Sequence, residues 1–130
     1  MLDVYREVLP NGFLLILSPE ASPTDEIKLS RALHRATRSD KQAILIDFGL
    51  VDHISEEAIE LLLAYAYMLH SQERRLILCH VPQPVQHNFI FLDAASQPLL
   101  VPSLLDAIHE IELDLGKNLI RNPDQSNQLQ

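Results

Sequence analysis

Short apolar runs alternate with longer amphipathic segments along most of this chain. A weakly alternating stretch, Asp3–Val8, comes first, and the turn signal Pro10-Asn11-Gly12 follows it, so the chain is predicted to open with a β-hairpin. Four further runs are short, continuous and apolar, as strands in a helix-covered sheet are: Phe13–Leu17, Ala43–Phe48, Leu76–Val81 and Leu99–Val101.

Four helices are predicted between and after these strands. Their apolar positions recur at helical spacing, and they cover about 22–38, 56–72, 85–91 and 103–115. The second is apolar nearly all round and is predicted to be well buried. Ser22, Ser55 and Ser103 precede three of the helices and are predicted N-caps. Strands that alternate with helices predict an α/β fold with a mostly parallel sheet.

The length of 130 residues fits a single domain. We expect this domain to span residues 1–115. From Gly116 onwards Asn, Gln, Asp and Pro dominate, and this composition predicts a flexible polar tail over 116–130.

Charge narrows the range of partners. The formal net charge is -8, which argues against nucleic acid and against anionic membrane surfaces. No apolar run reaches the roughly 20 residues of a membrane helix, so no membrane insertion is expected. Cys79 is the only cysteine and the amino terminus carries no export signal, which favours a reducing, cytoplasmic location.

The segment after Phe48 is the candidate site. It lies at the carboxyl end of a buried strand and the amino end of a helix, where α/β proteins commonly place working residues. Ser55 is expected to cap the helix, and the helix dipole favours Glu56 and Glu57 in its first turn. Asp52 and His53 precede them in the loop.

The sequence gives little support for metal binding or catalysis. Six histidines are scattered without the four-residue spacing of a helical zinc site, and Cys79-His80 has no companion ligand nearby in the sequence. Asp47 ends a strand as the phospho-acceptor of a receiver domain does, but the acidic pair of that site is missing. We therefore expect no metal site, no cofactor and no catalytic residue.

Four features resemble one family when read in order. They are Gly49–Ile54 after a buried strand, the apolar helix that directly follows, Arg74–Val81, and Val101–Ile108 with its Pro102-Ser103-Leu104 start. This order and spacing resemble the STAS domain of bacterial anti-sigma factor antagonists and sulfate transporter tails, over about residues 3–113. The resemblance implies a mixed sheet of four to five strands, with about four helices packed mainly on one side.

The chain departs from that family at its switch. Antagonists carry Asp-Ser-Ser-Gly at the start of the second helix, and a dedicated kinase phosphorylates the second serine. Here the segment is Ser55-Glu56-Glu57-Ala58, which places Glu57 at the phospho-acceptor position. A phosphomimetic site that is not switched there is the main hypothesis. Phosphorylation of Ser55 is the alternative.

The resemblance implies a non-catalytic protein-binding module in bacterial signal transduction. Its expected partner is an anti-sigma factor kinase or a related regulator with a basic face. The predicted contact residues are Asp52, His53, Ser55, Glu56, Glu57, Ile59 and Glu60. The alternative is a cytoplasmic subunit of a transport system, such as a lipid transporter, bound to its ATPase or permease. Tyr65 is expected in the core, Tyr67 and Met68 suit either core or interface, and the apolar second helix would also permit a homodimer.

Overall fold

The computed structural model describes residues 2–19, 25–90 and 96–121, with side chains over 4–19, 27–90 and 96–113. Five strands form one sheet in the order in which they occur along the chain. They are β1 (Leu2–Val8), β2 (Gly12–Pro19), β3 (Ala43–Asp47), β4 (Arg75–Cys79) and β5 (Leu99–Val101). β1 and β2 form the predicted antiparallel hairpin, and every later neighbour pairs in parallel. The carboxyl ends of β2, β3, β4 and β5 therefore meet at one edge.

Four helices of the described part of the chain cover the sheet. They are α1 (Asp25–Arg38), α2 (Glu56–Ser71), the single turn α3 (Gln83–Gln86) and α4 (Leu104–Arg121). A 3₁₀ turn, His87–Phe89, continues α3. The predicted cap at Ser22 lies outside the described residues. Ser103 caps α4 as predicted, because its Oγ accepts a hydrogen bond from the Asp106 backbone N–H at 3.2 Å.

The alternation of strand side chains creates two apolar layers. One layer joins Leu15, Ile44 and Leu78 to the inner faces of α1, α2 and α3. The other joins Leu14, Leu45 and Ile77 to α4, chiefly through Ala107 and Ile111. Three helices thus share one face and α4 covers the other, which confirms the predicted mixed sheet with helices mainly on one side.

Several predicted boundaries differ from the structure. β4 ends at Cys79 because His80 adopts a left-handed backbone conformation, with φ of 57°, that leaves the strand. The third helix starts at Gln83 and accommodates Pro84 in its first turn, where proline needs no partner for a backbone N–H. α4 extends to Arg121, past the boundary predicted at residue 115, and residues 122–130 lie outside the described chain.

α2 is less buried than its composition predicts. Its fully buried positions are Ala58, Leu62, Ala66 and Leu69, which face the sheet at helical spacing. Tyr65 packs against the core as expected, but 67% of the Tyr67 surface is exposed and Ala64 is exposed as well. Among the described helices, none is long and apolar enough to cross a membrane.

Candidate functional site

The loop from β3 to α2 is anchored at its start by two apolar side chains. Phe48 is buried and makes an edge-to-face contact with Phe89, with ring centroids 6.3 Å apart. Val51 is buried as well, and its backbone N–H donates to the Phe48 carbonyl at 3.0 Å. The loop therefore has a fixed base, from which Asp52 and His53 project as exposed residues.

The first turn of α2 has the predicted cap. Ser55 is extended at φ -70° and ψ 158°, and its Oγ accepts a hydrogen bond from the Ala58 backbone N–H at 3.1 Å. Its carbonyl accepts from the Ile59 N–H at 3.0 Å. Glu56 and Glu57 follow as exposed residues, in the turn where the helix dipole favours negative charge. The position that resembles the phospho-acceptor site thus presents a carboxylate to solvent.

An exposed stripe runs from this turn along the outer face of α2. Its members lie three or four residues apart, so they are neighbours on one helix face. They are all exposed: Glu56, Glu60, Ala64, Tyr67 and Ser71. Glu57 lies on the flank of this stripe. We call these six residues the α2 stripe; it is acidic at its amino end and has an aromatic ring farther along.

The predicted contact residues divide into two groups. Asp52, His53, Glu56, Glu57 and Glu60 are exposed around the start of α2. Ser55 and Ile59 are half-buried, and Ile59 packs against the core below α2, so it faces away from the stripe. Tyr67 and Ala64 extend the exposed surface beyond the predicted contact residues. Their helical spacing from Glu60 is the feature of the sequence that places them on the same face.

A second group of polar side chains meets at the ends of β3 and β4. The Asp47 Oδ1 atom accepts a hydrogen bond from the Gly49 backbone N–H at 2.8 Å and lies 2.9 Å from His80 Nδ1. The Cys79 thiol also hydrogen-bonds to Asp47. Metal-binding atoms of these three side chains all lie within 4.8 Å of one another. We call Asp47, Cys79 and His80 the strand-end cluster.

This cluster corrects one step of the sequence reasoning. Cys79-His80 does have a companion, because β3 and β4 pair in parallel with Asp47 opposite Cys79. Residues paired in this way project to the same face of the sheet. The two positions are 32 residues apart in the sequence, so only the strand register could have revealed the contact.

The environment of the cluster favours a protonated thiol. Burial, the negative charge of Asp47 and the hydrogen bond to it together raise the pKa of Cys79 to about 12. Cys79 is fully buried, whereas the His80 side chain is 43% exposed and that of Asp47 is 17% exposed. The cluster therefore reaches from the core to solvent through the imidazole.

Similarity to known proteins comes from structure alone. No protein-family model matches the chain, and neither does any curated protein. A serine-to-glutamate variant of RsbS from Moorella thermoacetica superposes with a TM-score of 0.70 at 12% identity, over 88% of this chain and 97% of that one.

Two further solved structures support the same conclusion. The unphosphorylated anti-sigma factor antagonist SpoIIAA gives a TM-score of 0.60 at 15% identity, over 86% of this chain and 98% of its own. A chain in a structure of the stressosome, a signal integration and transduction hub, gives a TM-score of 0.64 at 12% identity. The match covers 90% of this chain and 99% of that one. These similarities extend over nearly the whole length of each neighbour. This chain therefore has the fold of the STAS domain, as its sequence predicts.

Proposed function

We propose that this protein is a non-catalytic regulatory module of the STAS type, which binds a protein partner through the start of α2. The main observation that supports this proposal is the exposed acidic surface at the start of α2. Asp52, Glu56, Glu57 and Glu60 present negative charge from a capped helix and an anchored loop. A rigid surface loses little conformational freedom on binding, which favours recognition.

We further propose that Glu57 holds the site in one charge state. Phosphorylation of a serine adds a charge of about -1.5 to -2 at neutral pH, whereas a glutamate supplies a permanent charge of -1. The carboxylate lies in the first turn of α2, where the helix dipole interacts favourably with negative charge. The similar fold of RsbS carrying a serine-to-glutamate substitution supports this proposal.

The partner is expected to combine a basic face with an apolar contact. Basic side chains would meet the acidic end of the α2 stripe and speed association by electrostatic attraction. Tyr67 lies three residues beyond Ala64 on the same face and offers the exposed aromatic ring that often anchors protein interfaces. An anti-sigma factor kinase or a related regulator is the partner class that we propose.

Ser55 is the alternative site of regulation. Its hydroxyl oxygen already accepts the Ala58 N–H, and two glutamates follow it directly. A phosphate there would repel these glutamates while gaining the helix dipole. We therefore propose that Ser55 acts as a structural cap, and stoichiometric phosphate on Ser55 in native protein, detected by mass spectrometry, would contradict this assignment.

Affinity purification from the source organism tests the proposed function. The bait is the full chain, compared with Glu57→Lys and with Glu112→Lys, a matched control at an exposed position of α4. We expect a kinase or regulator of the anti-sigma class to be captured by the wild type and the control. Charge reversal at Glu57 should reduce that capture at least tenfold. Circular dichroism of each bait checks that the fold is retained.

The same experiment distinguishes the proposed regulatory role from a role as a subunit of a transport system. Capture of a transporter ATPase or permease, unaffected by Glu57→Lys, would favour a transport subunit and contradict the proposed regulatory role. Undiminished capture of a regulator by the Glu57→Lys bait would support the proposed partner class. It would contradict the proposal that the partner contacts the start of α2.

A further inference from the structure

We propose that the strand-end cluster is a binding site for a divalent transition metal of the zinc class, with Asp47, Cys79 and His80 as its protein ligands. This site is distinct from the α2 stripe, and the inference does not depend on the proposed partner. Three residues that the sequence separates contribute an oxygen, a sulfur and a nitrogen donor at one edge of the sheet.

The strand register brings the first two ligands together. Asp47 and Cys79 are partners on adjacent parallel strands, at the carboxyl end of each. Both side chains project toward the α4 face, since Leu45 and Ile77, two residues earlier on the same strands, face α4. This part of the site is built on strands, which hold ligands more precisely than loops do.

Backbone geometry at two neighbours brings in the third ligand. His80 has a φ of 57°, which costs an L-residue energy and commonly accompanies functional sites. This conformation accompanies the 2.9 Å contact between Nδ1 and Asp47 Oδ1. Gly49 lies above them: a Cβ there would be 3.1 Å from Asp47 Oδ1 and 3.3 Å from His80 Nδ1. The close approach therefore favours a residue without a side chain.

The spacing of the donors suits a tetrahedral ion. Bonds of about 2.0–2.3 Å place tetrahedral ligands roughly 3.3–3.8 Å apart. The three donor atoms lie within 4.8 Å of one another, so shifts of about one ångström would bring them to bonding positions. His80 is partly exposed, which gives the ion a path to the site and lets water fill the fourth position.

The donor set selects the class of metal. One thiolate, one imidazole and one carboxylate suit zinc or cobalt better than the oxygen-preferring magnesium or calcium. The buried thiol is protonated in the metal-free protein. A divalent ion reverses this preference because a thiol that coordinates a metal ion is deprotonated.

Cobalt provides the direct test because a cobalt–thiolate bond has its own absorption. The metal-stripped full chain is titrated with Co²⁺ in a buffer without chelators. We expect a thiolate-to-cobalt charge-transfer band in the near ultraviolet, tetrahedral bands in the visible, and loss of both when Zn²⁺ is added. Absence of the charge-transfer band, with or without visible bands, would overturn the proposal.

His80→Asn is the informative variant. Asparagine tolerates the left-handed conformation, and the position is exposed, so the fold should survive. We expect the apparent Co²⁺ affinity to fall at least about 100-fold, beyond the range seen when only an outer-shell partner is lost. His34→Gln, which removes an exposed imidazole from α1, is the control and should bind as the wild type does. Equal affinity in His80→Asn and wild type would contradict the site.

Cys79→Ser supplies an independent readout. It replaces the sulfur and should abolish the charge-transfer band even if some visible absorption remains. Cys79 is fully buried, so circular dichroism must first show that this variant folds. If it does not fold, the His80→Asn titration decides the question alone.

Discussion

Asp47 and Glu57 stand at opposite ends of one loop, and their carboxylates are used in different ways. Asp47 is mostly buried and is contacted by Gly49, Cys79 and His80. Glu57 is exposed at the start of α2, on a surface that the helix presents to solvent. In the metal-free protein the polar groups at the strand end therefore contact one another, whereas those at the helix start face solvent.

Substitutions in the two regions should therefore differ in whether they lower the free energy of unfolding or the affinity for a partner. Loss of the Asp47 acceptor leaves the buried Cys79 thiol without its partner and should lower the free energy of unfolding. A change in the α2 stripe should affect binding while the free energy of unfolding changes little.

Asp47→Ala should give the largest effect. It removes the acceptor of the exposed Gly49 N–H, which water can replace, and of the buried Cys79 thiol, whose hydrogen bond to a charged group contributes about 1.5–3 kcal/mol. We expect a loss of about 2–3 kcal/mol in the free energy of unfolding, measured by urea denaturation. Asp52→Ala, an exposed aspartate in the same loop, is the control. Equal losses in both variants would remove the distinction between the two regions.

Alkaline pH should weaken the strand end selectively in the metal-stripped protein. The pKa of Cys79 is raised to about 12 in the folded protein, from an ordinary value near 9. The folded state therefore keeps a proton that the unfolded state releases between these values. The free energy of unfolding should fall by roughly 1 kcal/mol per pH unit above pH 9 from this group. Cys79→Ala should remove this part of the slope, and an unchanged slope in urea denaturation across this range would contradict it.

Ser55→Ala should have an intermediate effect because it removes a helix cap. The Ala58 N–H loses its acceptor, and loss of such a cap costs about 1 kcal/mol. Ser55→Asp keeps an acceptor and should retain most of the free energy of unfolding in urea. If Ser55→Asp is as destabilised as Ser55→Ala, the hydroxyl has another role than capping.

Glu57→Gln should change the free energy of unfolding least. It removes one favourable interaction with the helix dipole, which contributes about 0.3–1 kcal/mol at low salt. The loss should shrink when the urea titration is repeated at high salt, because salt screens exposed charges. A loss above 2 kcal/mol would show that Glu57 is a structural residue and would weaken its assignment to a binding surface.

The same division explains how far the sequence alone could lead. The start of α2 is local: Ser55, Glu56 and the apolar spacing of the helix follow each other directly, so cap and charges were predictable. The hairpin and the parallel strands followed from apolar runs and turn residues. The excess of apolar residues on α2 was misleading, because Tyr67 and Ala64 remain exposed although their residue types suggest burial.

The strand-end cluster could not be predicted in the same way. Its members come from two strands, and their meeting depends on the pairing of Asp47 with Cys79. A shift of the register by one residue would turn one of the two side chains to the opposite face. The left-handed conformation of His80 was equally hidden, since the residue that follows a strand carries no sequence signal for it.

A permanent negative charge at Glu57 forms part of the proposed partner contact. The direct measurement is the affinity of the captured regulator for wild type, Glu57→Gln and the control Glu112→Gln, by calorimetric titration at low and high salt. We predict at least tenfold weaker binding for Glu57→Gln alone, with a smaller difference at high salt. Equal affinities of all three proteins for that regulator would contradict the claim.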